Sequence, residues 1–572
     1  MCLAVEDASR RNLTPPARTG AIFSHWGRCF ATALLASGCA RVLGFDQGEP
    51  GLAAAGQTGS GGIAQGGKND GGGPLTSGTN GADPAGAGGD AVDATAGQAG
   101  AAGAPPDLCG NGYVDEGEEC DGGELGGATC GSLTYAGGRL SCQYCAYDTS
   151  ECYVVRSLDV SSHVCAVLSN SKLKCWGANA AGQLGLGNVS NRGEEINELG
   201  EGLPLIDLGE KRQVLEVSTG FSHTCVILDG NEVVCWGAND FGQLGQPSDG
   251  NLLAPPSEAV DLGDDDVAQI TAGRAHTCAL FTNGRVKCWG ENKYGQLGLG
   301  HTQPRGKLKG EMGNSLPFVD LGTDTVGDPL KVAAIDAGED HTCALTAGYA
   351  VKCWGYNGAG SLGLGSFEET RGEVAQELGD NLPAVNLYGN AYVLSAGGYH
   401  NCVKAFSELK CWGSNSQGQL GYGDFAMRGV FPEQMGAALL PLDVGSDPLS
   451  APASSLYAMG FSAGYSHTCA WFLSGGMKCW GSNESGELGL GDIHSRGNLP
   501  EHMGDHLPFV DLGADQTIIS VHAGISVTCA ILKPGRVKCW GWNRHGTLGA
   551  GHVDDVGVRP EQMGDALPFV KL

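Results

Sequence analysis

The residues of this chain that could do chemistry are cysteines and histidines in a fixed pattern. Fourteen of its 23 cysteines form pairs: Cys165 with Cys175, Cys225 with Cys235, Cys278 with Cys288, Cys343 with Cys353, Cys469 with Cys479 and Cys529 with Cys539, and Cys402 with Cys411 one residue closer. A histidine stands two residues before the first cysteine in six pairs (His163, His223, His276, His341, His400 and His467), and Val527 takes that place in the seventh. A His-Cys-Cys set on one strand face can ligate zinc, but structural zinc takes four ligands and one copy lacks the imidazole. A disulfide needs only two sulfurs opposed across a hairpin. Directly opposed positions have Cα atoms about 4.5 Å apart, within disulfide range. Closing such an 11-residue loop contributes about 2–3 kcal/mol in the chain-entropy model. The pattern therefore predicts seven hairpin disulfides, no metal and no cofactor, with the histidines as structural residues.

Six further cysteines, Cys109, Cys120, Cys130, Cys142, Cys145 and Cys152, crowd into one Gly-rich stretch. Even numbers in a short segment predict a disulfide-stapled module over 107–152, with 15 pairings open. The acidic run from Asp115 to Asp121 departs from the EF-hand loop and reads as solvated surface.

The elements that must position these residues recur with a period near 60. Each copy reads roughly A-G-x-x-H-T-C-A-L, a turn, then V-K-C-W-G-x-N-x-x-G-Q-L-G, marked by Trp176, Trp236, Trp289, Trp354, Trp412, Trp480 and Trp540. A repeat of this length signals units that bury their apolar faces only against neighbours. Short alternating runs and turn pairs such as Asp229-Gly230 and Asn283-Gly284 suit antiparallel strands. A second motif, Leu316-Pro317-Phe318-Val319-Asp320-Leu321, has counterparts beginning at Leu203, Glu258, Leu382, Leu440, Leu507 and Leu567. The first hairpin has none before it and the last segment no hairpin after it. A ring in which Leu567–Leu572 completes the first blade resolves this and avoids open sheet edges. The expected fold is all-β, a seven-bladed propeller over 153–572.

Upstream, Arg11, Arg18 and Arg28 precede the apolar Phe30-Ala31-Thr32-Ala33-Leu34-Leu35 and then Ala36-Ser37-Gly38-Cys39. Residues 1–39 have the layout of a signal peptide with a lipobox-like end, which predicts acylation of Cys39 and an outer-membrane or cell-surface location, lipid-anchored or secreted. Residues 40–106 are mostly Gly, Ala, Ser and Thr and read as a disordered tether with a reach of about 45 Å. Loss of Cys2 and Cys29 with the signal, and acylation of Cys39, leaves an even number of cysteines to pair.

The net charge of −29 excludes nucleic acid as the main partner and confines membrane contact to the lipid anchor. The recurring arginines Arg192, Arg305, Arg371, Arg428, Arg496 and Arg559 are expected to pair with nearby carboxylates such as Glu433, Glu501 or Glu561.

The G-x-x-H-T-C-A-L, C-W-G-x-N-x-x-G-Q-L-G-L-G and R-G-x-x-P-E-x-M-G-D-x-L-P-x-V-D-L-G segments of residues 151–572 resemble the repeat of the regulator of chromosome condensation family. That resemblance implies seven blades, in agreement with the count. The Cys109-Gly110-Asn111-Gly112 and Glu119-Cys120-Asp121-Gly122 segments resemble cysteine-rich repeats of bacterial secreted and surface proteins. The family's nucleotide-exchange activity is not carried over, because a signal and paired cysteines place the chain away from GTPases and chromatin. The expectation is a non-enzymatic, monomeric, surface-tethered scaffold. Its loops 188–196, 246–257, 300–310, 367–374, 424–431 and 552–558 would hold a protein or glycan. Two alternatives stand beside it: a polysaccharide enzyme using His522, Trp542, Arg544 and His545, which depart from the repeat, and an inhibitor or exchange-factor-like regulator.

Overall fold

The computed structural model of the chain describes residues 110–447 and 455–572. Seven antiparallel sheets follow one another, each an inner strand, the His-x-Cys strand and the Cys-Trp strand in sequence order. In blade 1 these are Val155–Val160, His163–Leu168 and Leu173–Gly177; in blade 7 they are Ile518–Ala523, Val527–Leu532 and Arg536–Gly541. The middle strand of each blade is buried along its whole length. Both its faces meet a neighbouring blade, so apolar residues run continuously there instead of alternating.

All seven hairpin disulfides expected from the cysteine spacing are present. Cys165 is bonded to Cys175, Cys225 to Cys235, Cys278 to Cys288 and Cys343 to Cys353. Cys402 is bonded to Cys411, Cys469 to Cys479 and Cys529 to Cys539. Each cysteine faces its partner in strand register, with Cα atoms 4.1 Å apart in every pair. The one-residue-shorter spacing of Cys402 and Cys411 is absorbed in a tighter turn, and the opposition of the two sulfurs is kept. Every hairpin cysteine is buried.

The six hairpin-preceding histidines are buried and reach sideways to the next blade. Nε2 of His163 meets Thr224 Oγ1 at 2.7 Å, and His223, His276, His400 and His467 meet Thr277, Thr342, Thr468 and Thr528 at 2.9–3.0 Å. His341 meets Asn401 at 3.1 Å. They are blade-to-blade fasteners.

Seven indole N–H groups likewise donate to the loop of the preceding blade. Trp236 and Trp289 reach the carbonyls of Gln183 and Gln243, both at 3.0 Å. Trp176 of blade 1 reaches Thr547 of blade 7 at 3.0 Å, which closes the ring. The architecture is a seven-bladed β-propeller. Along the axis, inner-strand side chains bind the next blade's backbone: Asp159 accepts from Thr219 N–H, Ser218 from Ala272, Asp336 from Ala396 and Ser462 from Ala523.

The outer segments differ from expectation in phase. Ile206 donates to Leu173, Val319 to Val286 and Val570 to Val537. The final segment therefore sits on blade 7, its own repeat, and blade 1 borrows no strand. Each repeat supplies its own inner strand before the hairpin and its own outer segment after it. In the fifth repeat the segment starts one residue earlier than read, with Leu439 buried and Leu440 exposed.

The cysteine-rich module holds disulfides Cys120–Cys142 and Cys130–Cys152. Cys145 is also disulfide-bonded. The module rests on the ring closure: Leu572 N–H donates to Ala136 at 3.4 Å. A side chain at Gly137 would lie 2.0 Å from the Leu572 carbonyl, so this approach requires glycine. Cys109, Cys39, Cys29, Cys2 and the proposed signal and tether lie outside the described residues.

Candidate binding face

The meander fixes which residues share a face. The corner between inner and middle strands and the loop after the Cys-Trp strand lie at one end of every blade; the Cys-to-Cys hairpin turns lie at the other. The two positions before the repeated histidine occupy that corner and vary freely: Phe221-Ser222, Arg274-Ala275, Glu339-Asp340, Gly398-Tyr399, Tyr465-Ser466 and Ile525-Ser526.

Aromatic rings form a row across this end of blades 3 to 6. Centroids of Tyr294 and Tyr356 are 5.0 Å apart, Tyr356 and Tyr399 5.5 Å, Tyr399 and Tyr465 6.2 Å. All four side chains are half-buried, held on the scaffold with part of each ring open. Beside the row, Arg274 is clasped by Asp340 at 2.8 Å, Glu339 at 3.3 Å and Glu291. Burial opposes the guanidinium charge, but Asp340 and Glu291 outweigh it and raise the Arg274 pKa. The Tyr399 hydroxyl, 3.5 Å from Asp340, has its pKa raised by burial and by the charges of Glu339 and Asp340. The site thus presents neutral phenols next to a carboxylate-rich cluster.

Outside the row, the long loops of blades 4 and 5 expose Phe367 (67%), Phe425 (58%) and Phe431 (40%). Phe367 and Phe431 pack edge to face at 4.4 Å. Of the loops named from sequence, 367–374 meets the tyrosine row directly, Thr370 pairing with Tyr356, and it carries 424–431 beside it through the Phe367–Phe431 contact. The row itself was missed in the sequence, although the variable pair before each histidine was its signal.

Residues 160–571 match the model of the RCC1-like domain. The chain belongs to the RCC1-like domain family. The ultraviolet-B receptor UVR8 of Arabidopsis thaliana is 28% identical over 400 residues, covering 69% of this chain and 78% of the relative. The probable E3 ubiquitin-protein ligase HERC6 of Homo sapiens is 29% identical over 54% of this chain, but the match spans only 28% of that protein. Yeast RCC1 (Prp20), solved bound to Kap60, superposes with a TM-score of 0.50 at 20% identity, over 73% of this chain and 85% of that one.

On this RCC1-like frame the other candidates separate. His522 is buried on the innermost strand of blade 7 and bonds Ser520 at 2.9 Å. Trp542 and His545 stack edge to face at 5.1 Å on the loop face, with Arg544 exposed between them. Five of the six recurring arginines pair with a nearby carboxylate as expected, though mostly not the following glutamate. Arg428 and Arg496 pair with Asp424 and Asp492, four residues upstream, at 2.9 and 2.6 Å, and Arg371 with Glu368. Of the six, only Arg192 and Arg559 meet a following glutamate, at 4.0 and 3.9 Å. Arg305 bonds the Pro304 carbonyl and His301. Arg559 is not the register equivalent of the others. Their backbone bridges the glycine after the blade tryptophan, and in blade 7 Val556 does so.

Proposed function

We propose that this RCC1-like propeller is a binding scaffold that holds a protein partner on the tyrosine-bearing face of blades 3 to 6. The observation that carries the reading is the tyrosine row bordered by exposed Phe367, Phe425 and Phe431. Rigid aromatics with one polar end give large contact area at low entropic cost and dominate protein interfaces. The carboxylates around Arg274 favour a partner that brings cationic side chains to the same face. The N-terminal pattern ending at Cys39 supports a scaffold tethered to the outer membrane or displayed at the cell surface, at the end of the Gly/Ala-rich stretch.

The test uses the full chain crosslinked on its own cells, with the captured partner purified and its affinity measured against variants. Tyr399→Ala with Tyr465→Ala, and separately Phe367→Ser with Phe425→Ser, should each weaken binding about 30-fold, the effect of losing roughly 2 kcal/mol of hot-spot contact. Unchanged affinity in both double variants, at unchanged thermal midpoint, would remove this face from the binding role. Specific capture of a glycan in place of a protein would overturn the partner class. Retention of a Cys39→Ser variant in the membrane fraction would count against the tether.

A further inference from the structure

A large cavity lies away from the tyrosine row, where the cysteine-rich module meets blades 1 and 7. It encloses about 970 Å³ and is bordered by Arg139 and Tyr135 of the module, Glu201 of blade 1, and Arg536, Phe569 and Lys571 of blade 7. We infer that this groove binds an acidic polysaccharide, recognised through its carboxylates by Arg139, Arg536 and Lys571.

Charge is the first argument. The chain carries 34 basic and 63 acidic residues, yet this groove gathers three cationic side chains against the Glu201 side chain and the Leu572 carboxylate. None of the three takes part in an ion pair among the described residues. Glu201 also faces Lys174, whose ammonium its charge favours against burial. A local reversal of sign in so acidic a molecule concentrates anions at that spot.

Geometry is the second. The Arg536 guanidinium lies over the Phe569 ring at 3.4 Å. That contact holds the guanidinium against the ring at the groove. A planar guanidinium fork matches a carboxylate through two parallel hydrogen bonds. Burial lowers the pKa of Arg536 without neutralising it, so the charge is partly desolvated and has no ion pair among the described residues. An anion from outside supplies one.

The lining favours a glycan over a peptide. An extended peptide binds such a place by adding to a strand edge. Here Gly137–Gly138 pairs with Cys152–Tyr153 on one side, and Leu572 reaches Ala136 on the other. Glycine backbone at 122–123 and the half-buried Tyr135 ring instead offer peptide groups for hydroxyls and an aromatic surface for the C–H face of a pyranose.

Labelled hexagalacturonate titrated into the full chain by fluorescence anisotropy tests this. The neutral maltohexaose and a hexaglutamate peptide serve as competitors. Binding should weaken about tenfold or more in Arg139→Ala combined with Lys571→Ala, which alters only exposed side chains, and fall as salt rises. Arg536→Lys keeps charge but loses the fork, and should weaken binding while leaving the thermal midpoint near that of the wild type. Absent binding, equal competition by maltohexaose, or unchanged affinity in the double variant at Arg139 and Lys571 would overturn the site. Stronger competition by hexaglutamate would overturn the glycan assignment. None of these outcomes depends on the tyrosine-bearing face, so failure here and failure there are distinguishable.

Discussion

Six junctions between blades follow one plan, and the seventh, between blades 7 and 1, departs from it in an instructive way. Inside the ring, each junction has a buried histidine bonded to Thr or Asn of the next blade, and an indole N–H on a loop carbonyl. At the closing junction the indole bond survives, Trp176 to Thr547, as does the Gly200 N–H to the Lys571 carbonyl that repeats Gly313 to Asp261. The side-chain pair does not. Both partners change together: the histidine position holds Val527 and the threonine position Val164, each fully buried. The axial acceptor changes too, with His522 turned to Ser520 of its own strand. Bonds that end on backbone persist because any sequence supplies a carbonyl. Bonds between two side chains need two coordinated residues, and here both were exchanged for apolar ones. Burying a valine contributes about 1.5–3 kcal/mol against about 0.5–1.5 for a hydrogen bond, so the exchange costs no stability. The result is one continuous core through blades 6, 7 and 1 that takes in Ala136 of the module and the adjoining Tyr153, whereas the other cores each span two neighbouring blades.

The largest effect should come from the element common to all junctions. Trp176→Ala and Trp289→Ala each delete a fully buried indole and should cost about 3–5 kcal/mol, read from denaturant midpoints in oxidising buffer. If the closing junction is as firm as the rest, the two losses agree within about 1 kcal/mol. A much smaller loss for Trp176→Ala would show a ring that opens at its seam.

What the sequence made legible follows from the same contrast. Period, blade number and cysteine opposition were readable because every copy repeats them. The phase of the outer segments was misread because inner strands such as Val155–Val160 and Ala458–Ala463 share no motif, so a segment after one hairpin looked like a segment before the next. Arg559 was counted with the other arginines by letter, while pairing register assigns its place to Val556. The tyrosine row fell at positions where the repeats disagree, which a search for agreement discards. The module's seat on the closing junction depends on Gly137 meeting Leu572, a contact between residues far apart in sequence that no local pattern encodes.

Acid should separate the two kinds of junction. Burial pushes the His341 imidazole down to about 4 and those of His400 and His467 to about 3. A group whose folded pKa lies below the unfolded value of about 6.5 gives the unfolded chain more protons in acid. Its stability is therefore present above pH 6.5 and is lost as pH falls toward 3–4, on the order of 3 kcal/mol for each fully titrated imidazole. Half-buried Glu216, raised to about 8, and buried Asp336, also raised, act in the opposite sense, losing stability as pH rises. Amide exchange at pH 4 should rise first at the His341 strand and at its partner around Asn401, and last at Val527 and Val164, which face each other across the closing junction. Uniform protection across the ring at that pH would contradict the assignment.

The smallest effect is the most diagnostic, because it converts one junction type into the other. Val527→His places an imidazole opposite Val164, which offers no acceptor, and an unsatisfied buried polar group costs about 1–3 kcal/mol. Val164→Thr alone buries a hydroxyl in the same apolar contact, and its cost should be of similar size. If the paired valines truly substitute for the His–Thr fastener, the double variant rebuilds the bond that His163 makes to Thr224. It should then recover more than half of the summed losses. The double-mutant cycle reads this directly, since contacting residues couple by about 0.5–3 kcal/mol while independent ones add. Simple additivity would mean that the backbone at the seam has shifted too far to hold the bond. The two valines would then report the altered geometry imposed by the docked module, and the loss of the His–Thr pair would be its consequence.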